Sequence, residues 1–228
     1  GGFWTTHPVA MPQAGHQVER DYALAQALAE TFHARRPPLT RPHLETNLVT
    51  RDKVTALVKK QKIDPDRLVV LHPFASAETK NWRPERWDEL IGWLADHQWD
   101  PVVIGAANDH LDVSHRVVSL TGALTLPETA SLLRLAKLFI GIDSGPGHIA
   151  AAVGCPVISI YASAHDPSRW APFGDPKKTL ILHQPVQDRA RYPVEARQLP
   201  PGTRGNPYSD RIGVQDVTTA IAKLKTTP

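Results

Sequence analysis

The sequence is almost without sulfur. Cys155 and Met11 are the only cysteine and the only methionine among 228 residues. A lone thiol closes no disulfide within the chain and builds no cysteine-based metal site. Cys155 lies between Gly154 and a β-branched run, so it reads as a small buried residue, and the lack of disulfide pairing points to a reducing compartment. The eleven histidines offer no substitute. His110 and His115 are five positions apart, not the four that set two ligands on one helix face. No metal site is expected. Long apolar runs are missing as well. Nothing approaches the roughly 18 residues of a membrane-spanning helix, and the opening residues do not read as a signal peptide. Charge of one sign is also lacking. The 26 basic and 23 acidic residues are interspersed, and a net charge of +3 is no nucleic-acid footprint. There is no Gly-x-x-x-x-Gly-Lys-Ser/Thr, which excludes a P-loop nucleotidase, and no repeat at solenoid spacing.

What remains is an ordinary globular composition, 41% hydrophobic, at a length that fits one large domain or a domain with a tail. The chain begins Gly-Gly-Phe and its only methionine is Met11, so a polypeptide lacking its natural beginning is expected. Residues 1–16 show no periodicity. Val18 to Phe32 carries apolar residues at helical spacing, and Arg35 to Pro42, with three prolines, reads as an extended linker. Asp52 to Gln61 is a second helix. From there strand and helix alternate. Leu68 to His72 is a continuous apolar run, as a parallel strand covered on both faces requires. Pro84 opens a helix with Trp87, Leu90, Ile91 and Leu94 on one stripe. Pro101 to Gly105 is the next strand, Leu111 to Val118 a helix, and Ser119 to Gly122 a short strand and turn. Thr125 is a candidate N-cap for a helix through Leu135. Asp166 to Gly174 reads as a loop, Thr179 to Leu182 as a last strand, Gln184 to Tyr208 as a long surface loop, and Val214 to Leu224 as a closing helix. This alternation means an α/β fold with a Rossmann-like, doubly wound parallel sheet. Right-handed crossovers then bring the loops that follow the strands to one sheet edge, where ligands bind in such folds.

The richest stretch is Gly141-Ile142-Asp143-Ser144-Gly145-Pro146-Gly147-His148. The apolar Leu138-Phe139-Ile140 precedes it. The small, apolar Ile149 to Gly154 follows, and then the β-branched strand Pro156 to Tyr161. The order is strand, glycine turn, helix, strand. The glycines let the backbone come close to a ligand, Gly145 above all, whether by close approach or by a positive φ. The helix start offers free N–H groups and a partial positive charge. A phosphate or diphosphate suits that place. The same residues would also serve a tight turn with an exposed histidine.

The segment Asp143 to Tyr161 resembles the donor-site signature of the heptosyltransferase family (glycosyltransferase family 9). These are glycosyltransferases of bacterial lipopolysaccharide assembly with a two-domain GT-B fold. A second match lies upstream in the same order. His72-Pro73-Phe74-Ala75-Ser76 ends a strand, and Lys80-Asn81-Trp82-Arg83-Pro84-Glu85-Arg86-Trp87 opens a helix, similar to the family's Lys-x-Trp-x-x-x-x-Trp. The resemblance covers roughly residues 66–225 and is to the C-terminal, donor-binding half. It implies that residues 1–45 are an interdomain helix and linker from an N-terminal acceptor domain, and that residues 46–228 form the nucleotide-sugar donor domain. A helix packed on its own domain is the alternative for residues 1–45.

Four loops should meet at the site. Resemblance assigns Ser76, Thr79, Lys80, Ser144, Gly145 and His148 to the donor diphosphate, Lys80 as a compact point charge. It assigns Asp109 to the ribose hydroxyls, with a helix N-cap as the competing reading. Thr121 and Leu124 would hold the nucleobase, though ordinary core packing also explains Leu124. Asp143 would meet the transferred sugar. Trp93, Trp99 and Trp170 read as core or interface aromatics. The family's catalytic base lies in the N-terminal domain, and nothing here matches it, so no catalytic residue is identified in this chain.

The expected activity is inverting transfer of heptose from ADP-heptose, without a metal or other cofactor, to a lipopolysaccharide core or related acceptor. This chain would supply the donor-binding half. The expected setting is cytoplasmic, at the inner face of the membrane, with at most peripheral membrane contact. Two alternatives stand beside it. One is a stand-alone nucleotide-sugar-binding module without transferase activity. The other is a GT-B relative such as a nucleotide-sugar epimerase.

Overall fold

The computed structural model describes residues 14–36, 38–161, 166–185, 198 and 206–225. Its centre is a six-stranded sheet in the order β3-β2-β1-β4-β5-β6. The strands are β1 (Leu68–His72), β2 (Asp100–Val103), β3 (Val118–Ser119), β4 (Leu138–Ile142), β5 (Val157–Tyr161) and β6 (Thr179–His183). All five pairings are parallel. In β1, β4 and β5 every residue is buried, because helices cover both faces.

Alternate residues of each strand feed two separate cores. Val69 and Leu71 of β1, with Ile140 and Ile142 of β4, face helices α3 (Pro84–Asp96) and α7 (Val214–Lys225). Trp87, Leu90, Ile91 and Leu94 of α3 are wholly buried there. Each such side chain contributes about 1.5–3 kcal/mol by leaving water. Leu68 and Val70 point the other way, into a core with Phe139 and the helices α2 (Leu48–Lys60), α4 (Leu126–Leu135) and α5 (Gly145–Ala152). Cys155 is buried in this second core, and burial pushes its thiol up to about 12, so it is inert.

The expected helix from Leu111 to Val118 does not form. The carboxylate of Asp88 on α3 accepts from the backbone N–H groups of Ser114 and His115, from the Ser114 hydroxyl and from the His115 ring. Donors that a helix would keep for itself are thus held by a neighbour. Gly92 makes room for this. A Cβ there would lie 2.7 Å from His115 Nε2, which explains a glycine in mid-helix. Asp166 to Gly174 likewise departs from a plain loop and contains the short helix α6 (Pro167–Trp170), capped by Asp166. The expected surface loop Gln184 to Tyr208 lies mostly outside the described residues. Its described end is not surface, since Asn206 and Tyr208 are buried.

Helix α1 (Gln17–Thr31) starts at a capping box made by His16 and Glu19. Its start meets the body of the protein through His16 Nε2 and the Ala171 carbonyl, 2.8 Å apart. Further along, Leu24, Leu28 and Phe32 are 41%, 47% and 72% exposed, so the rest of the described chain leaves this apolar face uncovered.

Helix α4 begins as expected at Thr125, whose hydroxyl caps Glu128 N–H while Glu128 returns a bond to Thr125 N–H at 2.8 Å. Glu128 also pairs with Lys53 of α2. Lys53 first, and then the Thr125 donors, hold the Glu128 carboxyl down at about 2 against an ordinary 4.5. A depressed folded pKa gives stability that is present above the unfolded value and is lost as pH falls toward the folded one. Urea unfolding of wild type and Glu128→Gln should therefore show wild type the more stable at pH 6. The gap should close between about pH 4.5 and about pH 2. A gap that stays constant across that window would show that the carboxylate makes no such contribution.

Candidate functional site

In this strand order the chain leaves β1 toward one side of the sheet and β4 toward the other. The loops after β1 and β4 therefore part and leave a crevice at their carboxyl ends, the usual ligand site of open α/β sheets. A cleft of about 1100 Å³ lies there.

The loop after β1 carries Lys80 at the end of a short 3₁₀ turn, Glu78–Lys80. What holds this turn is far away in sequence. Trp82 Nε1 donates to the Ile212 carbonyl at 2.8 Å, and its ring stands edge-on to Trp87 with centroids 5.1 Å apart. Asn206 and Ser209 side chains donate to the Asn81 carbonyl. Asn81 Oδ1 accepts from Ala75 N–H and closes the loop on itself. The two tryptophans of the motif are thus anchors that aim the lysine.

Across the crevice, Asp143 follows β4. Lys80 Nζ and Asp143 Oδ2 are 2.6 Å apart, with side chains 24% and 12% exposed. Asp143 also lies beside the Tyr161 hydroxyl, which donates to the Trp170 carbonyl at 2.9 Å. Burial, followed by the Asp143 charge, raises the Tyr161 pKa, so the phenol stays neutral. Next to Asp143, Ser144 is the N-cap residue of α5, but its side chain makes no capping bond. It is instead 2.9 Å from His72 Nδ1 and 3.0 Å from the Ile142 carbonyl. Burial pushes the His72 imidazole down to about 4 against the pull of Asp109, so it is neutral.

Of the residues expected at the site, Ser76, Lys80, Asp109, Asp143, Ser144, Gly145 and His148 do line the cleft. Three do not. Thr79 is wholly buried inside the 3₁₀ turn. Leu124 packs against the second core, and Thr121 sits on a turn pressed against the Asp109 loop, where a Cβ on Gly122 would meet Ala107 Cα at 2.6 Å. Asp109 has no helix to cap, because none follows it. Its carboxylate accepts from Ala106 N–H at 2.6 Å. Residues not foreseen also line the cleft, among them His72, Tyr161, Arg169 and Trp170. Trp170 is 52% exposed and lines the site instead of packing in a core. Sequence spacing marks His72 as the last residue of its strand. Arg169 and Trp170 carry no such signal, since only the fold brings α6 to the opening. Among the described residues there is no group of three or more metal-ligating side chains.

A parallel, doubly wound sheet with a cation, a helix start and carboxylates around its switch point is the architecture these observations define. The chain belongs to glycosyltransferase family 9 (heptosyltransferase), whose model matches residues 3–197. It is 29% identical over 235 residues to lipopolysaccharide heptosyltransferase 3 of Escherichia coli, covering 97% of this chain and 64% of that protein. It is 25% identical over 167 residues to the lipopolysaccharide core heptosyltransferase OpsX of Haemophilus influenzae, covering 68% of this chain and 48% of that protein. The chain thus spans about half to two thirds of the length of these relatives. Among solved structures, a family 9 glycosyl transferase from Veillonella parvula superposes with a TM-score of 0.73 at 16% identity, over 97% of this chain and 63% of that one. The E. coli ADP-heptose heptosyltransferase II gives 0.68 at 21% identity, over 92% and 62%. These are GT-B enzymes, and the likeness establishes the fold.

Gly145 separates ligand demands from folding demands. A Cβ built there meets nothing within 4 Å, and its φ is not positive, contrary to one of the two reasons for a glycine considered above. Only a close ligand would then need the glycine. Gly145→Val should fold with a melting temperature within a few degrees of wild type, about 1 kcal/mol for a domain of this size. If ADP stabilises wild type by mass action, the variant should lose that stabilisation. A full ADP-induced shift in the variant would show that no anion approaches this backbone.

Proposed function

We propose that this chain binds an ADP-sugar, heptose being the sugar, and presents it for inverting transfer to a lipopolysaccharide core or related acceptor. The observation that carries this reading is the Lys80–Asp143 pair, held across the switch point beside the start of α5. The lysine and the helix start supply positive charge to a diphosphate, and Arg169 stands at the same opening. As the glycosidic bond breaks, negative charge grows on the leaving diphosphate, and fixed positive groups there stabilise the transition state more than the ground state. In this reading no metal is invoked. In the same reading Asp143 accepts from a sugar hydroxyl, and Asp109, which also lines the cleft, accepts from ribose hydroxyls. The names of the relatives, two of them lipopolysaccharide heptosyltransferases, support the sugar and the acceptor. Escherichia coli WaaC, solved with ADP, supports the nucleotide at a TM-score of 0.62.

The acceptor and the base that deprotonates it belong, in this reading, to the remainder of the length seen in the relatives. The uncovered face of α1 with Leu24, Leu28 and Phe32 would meet that acceptor domain. The work would be done in the cytoplasm at the inner membrane face. Among the described residues no helix is long and apolar enough to cross a membrane, so contact there would be peripheral.

Lys80→Ala should weaken ADP binding by about 1.5–3 kcal/mol, the range for a hydrogen bond to a charged group. That is roughly a 10- to 150-fold rise in Kd. Calorimetric titration of ADP into wild type and variant measures it, with UDP and GDP as controls. Equal ADP affinities would remove Lys80 from the donor site. Preference for UDP or GDP would overturn the ADP-sugar assignment.

A further inference from the structure

Two cations line the cleft, Lys80 and Arg169. Lys80 is committed to Asp143, whereas no carboxylate among the described residues pairs with Arg169. What holds Arg169 comes from outside the site. Its Nε donates to Gln17 Oε1 of α1 at 3.2 Å, and its guanidinium carbon stands 5.3 Å from the centre of the Trp170 ring. An arginine has five N–H groups, so four remain on its terminal nitrogens, and no described residue accepts from them. Such a planar set of donors is suited to taking a phosphate by two oxygens at once. Gln17 has little choice of orientation. Asp21, one turn further on, accepts from Gln17 Nε2 at 2.7 Å. A carboxylate only accepts and an arginine only donates, so the two together fix which end of the amide faces Arg169. The start of α1 is in turn pinned to the segment around α6. His16 Nδ1 accepts from Val18 N–H at 3.1 Å, which leaves the ring proton on Nε2 for the Ala171 carbonyl at 2.8 Å. The same ring lies 4.7 Å from that of Phe173. From the other side, the Tyr161 hydroxyl of β5 holds the Trp170 carbonyl at 2.9 Å.

We infer that Gln17 is a positioning residue, which aims the Arg169 guanidinium at the terminal phosphate of the donor nucleotide and so ties α1 to the donor site. The choice of the terminal phosphate follows from sheet order. Asp109, Lys80, Asp143 and Arg169 come after β2, β1, β4 and β5, strands that lie side by side in that order. With ribose hydroxyls at Asp109, the diphosphate runs past Lys80 and its terminal phosphate lies nearest Arg169. The inference rests on the donor-site reading above. A side chain already held where it is needed gives up less freedom when the ligand arrives, so aiming it in advance strengthens binding without adding a contact. Loss of Gln17 should therefore act only through Arg169. That separates it from a residue that merely steadies the fold.

Five proteins decide it: wild type, Arg169→Ala, Gln17→Leu, the double variant Gln17→Leu/Arg169→Ala, and the swap Gln17→Glu/Asp21→Asn. ADP and AMP are titrated into each by calorimetry. Arg169→Ala should bind ADP about tenfold more weakly, but AMP, which lacks the terminal phosphate, within about twofold of wild type. Gln17→Leu should bind ADP about fivefold more weakly and AMP as wild type does. Adding Gln17→Leu to Arg169→Ala should cost nothing further, as two residues acting through one contact require. The swap keeps the net charge and keeps an acceptor beside Arg169, because the new carboxylate can take both the Arg169 Nε–H and the new amide at position 21. It should stay within about twofold of wild type. Unchanged ADP affinity in Arg169→Ala or in Gln17→Leu would overturn the inference. So would equal losses for ADP and AMP, a Gln17→Leu loss that persists without Arg169, or a swap as weak as Gln17→Leu. The second readout needs no ligand. The NMR signal of the Arg169 Nε–H, identified by its loss in Arg169→Ala, should exchange with solvent faster in Gln17→Leu and stay near wild type in the swap. Unchanged exchange in a folded Gln17→Leu protein would also overturn the inference. If Gln17→Leu does not fold, Gln17→Asn, whose amide stops one methylene short of Arg169, takes the same two measurements with the same expected losses. Failure of wild type itself to bind ADP would count against the donor-site reading alone, and the proton exchange would still decide whether Gln17 holds Arg169.

Discussion

The site depends first on the pairing of β1 with β4, in register with His72 beside Gly141. These strands are neighbours in the sheet, yet two strands, α3 and α4 separate them in sequence. Because they are parallel and adjacent, their carboxyl ends deliver Lys80, Asp143 and Ser144 to one crevice. Because their onward connections leave in opposite directions, the crevice stays open. Gly141 permits the close pairing. A Cβ there would lie 2.6 Å from Phe139 Cζ and 3.2 Å from the His72 carbonyl oxygen. This glycine serves packing, whereas a Cβ on Gly145, four residues later, would meet nothing within 4 Å.

A second dependence runs from the end of the chain back to the middle. The segment 206–212 is tied to the loop after β1 by Asn206, Ser209 and the Ile212 carbonyl, and Arg86 donates to the carbonyls of Asp210 and Ile212. Helix α7 then lies on α3 in the first core. Lys80 is therefore aimed by residues more than 120 positions away. A partly buried ammonium is costly to leave unpaired, and Asp143 meets that cost in the free protein. An incoming diphosphate need not displace Asp143. An ammonium has three donors, so Lys80 can keep the carboxylate while it takes phosphate oxygens.

Much of this was legible in the residues themselves. Continuous apolar strands and the stripe of Trp87, Leu90, Ile91 and Leu94 carry their own periodicity, and Thr125 with Glu128 spells out a helix start. The glycine turn and the lysine–tryptophan motif marked both sides of the cleft. What could not be read depends on contacts between distant segments. The absence of a helix after Leu111 follows from Asp88, 23 residues earlier. The burial of Thr79 follows from a 3₁₀ turn set by the chain's far end. Arg169 and Trp170 reach the cleft only because β5 adjoins β4, a fact of sheet order that local pattern does not contain.

The glycine turn can now be resolved residue by residue. Asp143 balances the charge of Lys80 and stands beside the neutral Tyr161. Ser144 supplies an extended backbone that starts the helix, with its hydroxyl turned to Ile142 and His72. Gly145 leaves space that nothing in the protein fills. Pro146 is pre-set for a helix start and removes one N–H that would otherwise invite a side-chain cap. Gly147 would bring a Cβ to within 3.4 Å of Pro172 and 3.5 Å of Phe139, an ordinary contact, so a side chain there is limited by the loop above it and not by backbone strain. His148 adds a cleft-lining ring one position further on. A helix start is anion-seeking by default, and proteins usually quench that tendency with a side-chain cap. Here the Ser144 hydroxyl is turned to Ile142 and His72, and the Gly147 N–H donates to the Ser144 backbone carbonyl at 3.2 Å instead, so the first turn closes through backbone and not through a side-chain cap.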